Sequence, residues 1–290
     1  MDAKGFGRAA RLLILLLLLA PAAASAGMEL TASAIPQGGV ALFFLTGDEA
    51  AEGVRAQFDG GEVFIASTDG SALGIVAVDV DAPPGVYTLR LESRGMVMTR
   101  SITVRDGGFE TQRLTLPKGY VELDAPTLER VKAETGVLGR LWSTSNPEPL
   151  WSGPFIMPAA GELSSPFGTR RVLNGRPRSP HSGVDIAAPA GAPVVASNGG
   201  RVALTGDFFF IGRFVVIDHG LGVFTLYAHL SEVTARPGEA VERGETIGAV
   251  GSTGRATGPH LHFSMRVGGA RVSPLSVFKA TKRLERLARR

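Results

Sequence analysis

Cysteine is absent from all 290 residues. No disulfide can staple this chain, no thiolate can hold a metal, and no lipobox cysteine can carry a lipid. An exported protein without disulfides has to be held together by apolar cores. Histidine is missing from the first 180 residues, and lysine is missing from 151–278. The catalytic signatures G-x-S-x-G, H-E-x-x-H, the Walker A lysine loop and a strand-linked G-x-G-x-x-G are also absent, which excludes the chemistries they mark, thermolysin-like zinc chemistry among them. No basic stripe interleaved with aromatics appears, so nucleic acid is not an expected partner.

A hydrophobic content of 44% against 20% charged residues places the chain among globular proteins. Its length allows two modest domains. The 38 glycines and 18 prolines favour short strands and turns over long helices. Residues 1–26 read as a secretory signal peptide: Lys4, Arg8 and Arg11 form a basic start, Leu12 to Ala20 an apolar run, and Ala24-Ser25-Ala26 a small-residue cleavage site. The run is too short to span a bilayer, and no other segment is long and apolar enough, so no transmembrane span is expected after cleavage. The expected destination is outside the cytoplasm: the periplasm, with the cell wall or the medium as alternatives.

Residues 27–106 are predicted to form a small β-sandwich from short strands: Val40 to Leu45, Val63 to Ile65, Ile75 to Val80, Pro84 to Leu91 and Met98 to Val104. Residues 107–150 form a linker containing a helix over 124–142. Asp124 caps it, Pro126 sits in its first turn, and Leu128, Val131, Leu138 and Leu141 make one apolar face. Residues 151–278 are predicted to be a second domain, a mostly antiparallel sheet with one open face. Residues 279–290 form a basic tail, with six Lys or Arg against Glu285. Such a tail could lean on membrane headgroups or anionic wall polymer, or be the solvated end of a basic helix.

All five histidines fall between 181 and 262. In His260-Leu261-His262-Phe263 a strand would place both imidazoles on one face and Leu261 and Phe263 in the core. Pro180-His181-Ser182-Gly183-Val184-Asp185-Ile186 offers H-x-x-x-D at the start of an apolar strand, where a carboxylate is costly unless paired or bound to a cation. His, Asp and His make three protein ligands and leave a fourth position for water, the arrangement of a catalytic zinc site. His229, in Tyr227-Ala228-His229-Leu230, is a candidate acid/base group alongside His260. His219 is assigned to structure, in a turn shaped by Asp218 and Gly220.

These stretches, together with Ser164 to Arg171 and the run from Gly251 to Phe263, closely resemble the lysostaphin-type (LytM-like) zinc metallopeptidases over roughly 160–275. The resemblance implies a mainly β peptidase domain binding one Zn²⁺ through His181, Asp185 and His262, with His229 and His260 assisting catalysis. The N-terminal β-domain and linking helix look like those of exported Gram-negative-type members. Ser264 and Met265 stand where many members carry an acidic residue. The implied activity is endopeptidase hydrolysis of peptidoglycan stem peptides or cross-links. Arg170, Arg171, Asn174 and Arg255 are candidates for holding substrate carboxylates. Some relatives lack zinc ligands and instead activate wall amidases. All three ligands are intact here, so that non-catalytic regulator is the alternative. A biotinyl or lipoyl carrier, suggested by the hairpin-like run Val241 to Gly251, is excluded by the missing lysine.

Overall fold

A computed structural model describes residues 27–46, 53–68, 70–115 and 123–288. The proposed signal peptide lies outside them. The first domain contains β1 (Gly27–Leu30), β2 (Ala34–Pro36), β3 (Val40–Thr46), β4 (Arg55–Phe58), β5 (Gly61–Val63), β6 (Ile65–Thr68), β7 (Ser71–Ala77), β8 (Gly85–Ser93) and β9 (Met96–Arg105). They form two sheets, ordered β1-β3-β7-β6 and β2-β9-β8-β4-β5. The period of two points Leu89 and Leu91 of β8, with Ile102 and Val104 of β9, into a core shared with Phe43 and Leu45. The run predicted as one strand over Val63 to Ile65 is divided at Phe64 between the two sheets, because β5 pairs with β4 and β6 with β7.

The apolar run in β3 does not alternate because both its faces are covered. Phe43 and Leu45 face the sandwich core, whereas Leu42 joins the core of the second domain. The same division holds in β7, with Leu73 and Ile75 facing one way and Ala72 and Val76 the other. The two domains therefore share a hydrophobic layer. Polar contacts close its edge: Arg271 donates from its backbone N–H (2.8 Å) and from Nε (3.0 Å) to Asp79 Oδ2, and from a terminal nitrogen to Asp81 (2.9 Å). Burial pushes the Asp79 carboxyl pKa up, but the Arg271 and Asp81 hydrogen bonds outweigh this and hold it below the ordinary carboxylate value.

After β10 (Thr111–Leu114) and helix α1 (Ala125–Leu141) the second domain begins. Asp124 caps α1 by accepting the Thr127 N–H at 2.9 Å. The domain holds β11 (Glu162–Ser165), β12 (Arg170–Leu173), β13 (Arg176–Arg178), β14 (Gly183–Ala187), β15 (Pro193–Val195), β16 (Gly200–Phe208), β17 (Gly212–Asp218), β18 (Val223–Val233), β19 (Ala240–Val241), β20 (Thr246–Val250), β21 (Leu261–Val267) and β22 (Ala270–Val272). The main sheet runs β11-β14-β21-β18-β17-β16-β19, and its central pairings are antiparallel. β10 adds in parallel to the β12–β13 hairpin. The architecture is thus mainly β, as the sequence predicts.

The predicted open face is not open throughout. Val223 and Tyr227 of β18 point to the main core, but Phe224, Leu226 and Ala228 form a second cluster covered by Leu138, Leu141 and Trp142 at the C-terminal end of α1. Only that end of the helix docks on the cluster; Leu128 is exposed. The predicted basic tail continues a helix that begins before it. Helix α2 (Pro274–Ala288) runs through the expected boundary at 278, with Val277, Thr281 and Leu284 buried. It ties the domains together: Ser276 Oγ accepts the Val40 N–H (3.0 Å), and Arg283 donates to the Thr31 carbonyl (3.0 Å).

His219 is fully buried, 2.7 Å from the Gly199 carbonyl through Nδ1 and 2.7 Å from Thr225 Oγ1 through Nε2. Desolvation lowers its pKa to about 4, against an ordinary value of 6.5. The unfolded chain therefore takes up a proton that the native state refuses. The contribution to stability is intact above pH 6.5 and is lost as pH falls through 4, a loss of about 3 kcal/mol. Denaturant melts between pH 7 and 4 should show a flatter stability slope for His219→Asn than for the wild type. Equal slopes would remove His219 as the cause.

Candidate metal centre

Asp185 sits in the middle of β14, directly opposite His262 on β21, and His262 is opposite Ala228 on β18. His181 precedes β14 and returns to the same point. Asp185 Oδ1 lies 2.8 Å from His262 Nδ1 and 3.1 Å from His181 Nε2, and the two nitrogens are 3.1 Å apart. Gly183 permits this approach: a Cβ there would stand 2.4 Å from the Phe263 carbonyl oxygen and 2.9 Å from His262 Cε1.

Hydrogen bonding defines what these atoms offer. His181 Nδ1 lies 2.9 Å from the Pro166 carbonyl, which can only accept, so Nδ1 carries the proton and Nε2 presents a lone pair. The carboxylate oxygen of Asp185 is also an acceptor. Burial pushes its pKa up, but the His181 and His262 imidazoles set against it outweigh burial and hold the group ionised, well below the usual range. Desolvation lowers the His262 pKa, which favours its neutral, ligating form. Three electron-rich atoms 2.8–3.1 Å apart repel one another unless a cation or proton lies among them. Tetrahedral zinc with bonds of about 2.0–2.1 Å places its ligand atoms about 3.3 Å apart, so the donor set and spacing fit that ion. Among the described residues this is the one group of three such side chains close enough to share a metal.

Two more imidazoles face the triangle. The His229 ring centroid is 4.7 Å from that of His260 and 6.1 Å from that of His262, and His260 Nε2 is 4.0 Å from Asp185 Oδ1. His260 lies just before β21, paired with Gly251 through an isolated bridge. Each Nδ1 faces a carbonyl, Thr253 for His229 (2.8 Å) and Gly258 for His260 (2.9 Å), leaving each Nε2 as an acceptor. Desolvation, against the opposing Thr253 hydrogen bond, lowers the His229 pKa to about 4, so this ring is neutral at neutral pH. His229 has φ of +64°, an uncommon conformation held by its N–H bond to the Ile211 carbonyl (2.8 Å). Sequence reading does not single out Thr253 or Pro166, because both act on the imidazoles through backbone carbonyls, which leave no signature in residue type.

The expected carboxylate-binding residues separate. Arg171 is half-buried on β12, and Arg255 stacks over Phe210 with its guanidinium carbon 4.2 Å from the ring centroid. Arg170 points the other way, at the domain interface, 3.6 Å from Asp81 and with its guanidinium carbon 6.0 Å from the Phe109 ring centroid. Asn174 takes φ of +51° and Gly175 +76° in the two-residue β12–β13 turn, so Asn174 shapes the hairpin.

The description "Peptidase family M23" matches residues 179–274, which carry the whole donor triangle and both flanking histidines. A DD-carboxypeptidase/endopeptidase, Mpg, of Neisseria meningitidis is 48% identical over 122 residues, covering 42% of this chain and 28% of that protein. The peptidoglycan DD-endopeptidase ShyA of Vibrio cholerae is 43% identical over 119 residues, covering 41% and 27%. The chain thus matches little more than a quarter of the length of these relatives. A solved structure from Pseudomonas aeruginosa assigned to peptidase M23 is similar across both domains: TM-score 0.66, 31% identity, covering 84% of this chain and 95% of that one. With that likeness spanning both domains, and the family match falling on the segment that builds the metal centre, this chain belongs to peptidase family M23.

Proposed function

We propose that this protein is a zinc-dependent endopeptidase that hydrolyses peptide bonds in peptidoglycan stem peptides or cross-links, outside the cytoplasm. The observation that carries this reading is the triangle of His181, Asp185 and His262 with two further imidazoles turned toward it. The names of the Neisseria and Vibrio relatives support the substrate class. The basic and apolar start of the sequence supports export. Among the described residues no helix is long and apolar enough to cross a membrane.

One Zn²⁺ per chain, held by His181, Asp185 and His262, would supply Lewis-acid polarisation of the scissile carbonyl and activation of a water molecule. The chain's own residues handle the proton. His229 and His260 each keep Nδ1–H on a carbonyl, so Nε2 of either ring can accept a proton from the attacking water. Once protonated, the same Nε2–H can donate to the developing oxyanion or to the departing amine. The carbonyls of Thr253 and Gly258 hold the rings in orientation throughout, so little reorganisation is needed.

Purified protein should release peptide fragments from isolated cell wall, identified by mass spectrometry. Chelation should abolish release, and stoichiometric zinc should restore it. Protein carrying no zinc after purification and reconstitution, yet still binding wall material, would support the amidase-regulator reading instead.

A further inference from the structure

His229 enters the site from a break in the sheet. Arg213 faces Leu230 and Val215 faces Tyr227, so between these pairs β17 has Phe214 alone while β18 has both Ala228 and His229. This is a β-bulge, which bends its strand and re-aims a side chain. A left-handed backbone in such a bulge usually falls to glycine, but here His229 takes it, with φ of +64°. A histidine persists in that conformation only where its surroundings fix it.

Three groups do so. The Ile211 carbonyl accepts the His229 N–H (2.8 Å), and the Thr253 carbonyl accepts Nδ1–H of the ring (2.8 Å). The third group is the Thr253 hydroxyl. It accepts the Arg213 N–H (2.9 Å) and donates its proton to the Leu230 carbonyl (2.9 Å). The hydroxyl therefore links the donor of one strand to the acceptor of the next, at the residue pair that borders the bulge. Facing glycines let the loop lie this close: a Cβ on Gly254 would stand 2.7 Å from Gly212 Cα and 2.8 Å from the Phe210 carbonyl oxygen. One residue thus ties down both the backbone beside His229 and its imidazole.

We propose that the Thr253 hydroxyl is the positioning group for His229: by bridging β17 and β18 at the bulge, it fixes the loop whose carbonyl holds the imidazole with Nδ1 protonated and Nε2 as acceptor. This rests on the endopeptidase reading above and deepens it by naming what aims the proton acceptor. Thr253 acts through the imidazole and takes no proton itself. Valine at 253 would keep the branched shape but leave the Arg213 N–H and the buried Leu230 carbonyl without this partner. Serine would keep the hydroxyl.

Nitrogen-15 NMR of the histidine rings in zinc-loaded protein near neutral pH tests this without turnover. The His229 signal, identified by its loss in His229→Ala, should report the Nδ1–H tautomer in wild type and in Thr253→Ser, and a mixture of tautomers in Thr253→Val. On wall peptides Thr253→Val should lose about 10–100-fold in kcat at near-constant KM, as expected for a misaimed group, with zinc content unchanged. Thr253→Ser should recover most of that loss. Added to His229→Ala, Thr253→Val should cost little more than His229→Ala alone, because a residue that acts through another is not additive with it. If the valine variant does not fold, Thr253→Ala against Thr253→Ser makes the same comparison. A single Nδ1–H tautomer in Thr253→Val would overturn the proposal, as would a fully additive loss in the double variant. A tautomer mixture in Thr253→Val, in a protein whose wild type cleaves no wall peptide, would keep the positioning role and remove the endopeptidase reading.

Discussion

His181→Ala is expected to lose bound zinc and at least 99% of wall-peptide cleavage while remaining folded. A structural zinc site with four ligands has an apparent binding free energy of roughly 10–16 kcal/mol, so one ligand accounts for roughly 3 kcal/mol, or about two decades of affinity. The loss should be larger here, because removing His181 leaves the ionised, half-buried Asp185 with a single imidazole, that of His262, in close contact. The chain itself should survive, since His181 lies outside the buried cores. Melting curves with and without zinc provide the check. Wild type should gain about 4 kcal/mol of stability at a zinc concentration 1,000 times Kd, and the variant almost none at the same concentration. Undiminished hydrolysis by a zinc-replete His181→Ala protein would refute the assignment of the metal ligands.

His229→Ala should behave differently, keeping zinc but losing kcat. Its ring is not part of the donor triangle, and its centroid is 6.1 Å from that of His262, so metal affinity should change little. What disappears is a neutral acceptor whose Nε2 is aimed by the Thr253 carbonyl. Positioned proton transfer contributes about 10²–10⁴-fold, which sets the expected fall in kcat at near-constant KM. His260 lies close enough, at 4.7 Å between centroids, to take over part of the task, so a fall toward the lower end of that range is expected. The double variant with His260→Ala should fall further. An unchanged kcat in His229→Ala would assign this imidazole to structure, as with His219.

The candidate site was legible in the sequence because the side chains that meet in it come as short, stereotyped spacings. In H-x-x-x-D and H-x-H, local backbone geometry already aims the side chains, and residue type declares the chemistry. The arginines show the limit of such reading. Arg170 and Arg171 are adjacent and of one type, yet successive strand residues point to opposite faces. One therefore meets Asp81 of the other domain, while the next pairs across the hairpin with Arg178. Which face turns toward which neighbour depends on packing, and composition carries no record of it.

The fold divides in the same way. Strand periods, the many glycine and proline turns and the Asp124 cap indicated from sequence alone that the chain is mainly β, built as a sandwich, a helix and a second sheet. The residue types around 181–262 pointed to a group of side chains that could share a metal ion. Only the tertiary structure decided that β3 and β7 are covered on both faces, that α1 closes part of the second sheet, and that the basic C-terminal segment is a helix bridging two domains. Periodicity and capping act over a few neighbouring residues, so the sequence displays them directly. Burial of a second face is a contact between segments as far apart as Thr31 and Arg283, and it exists only once the chain has folded.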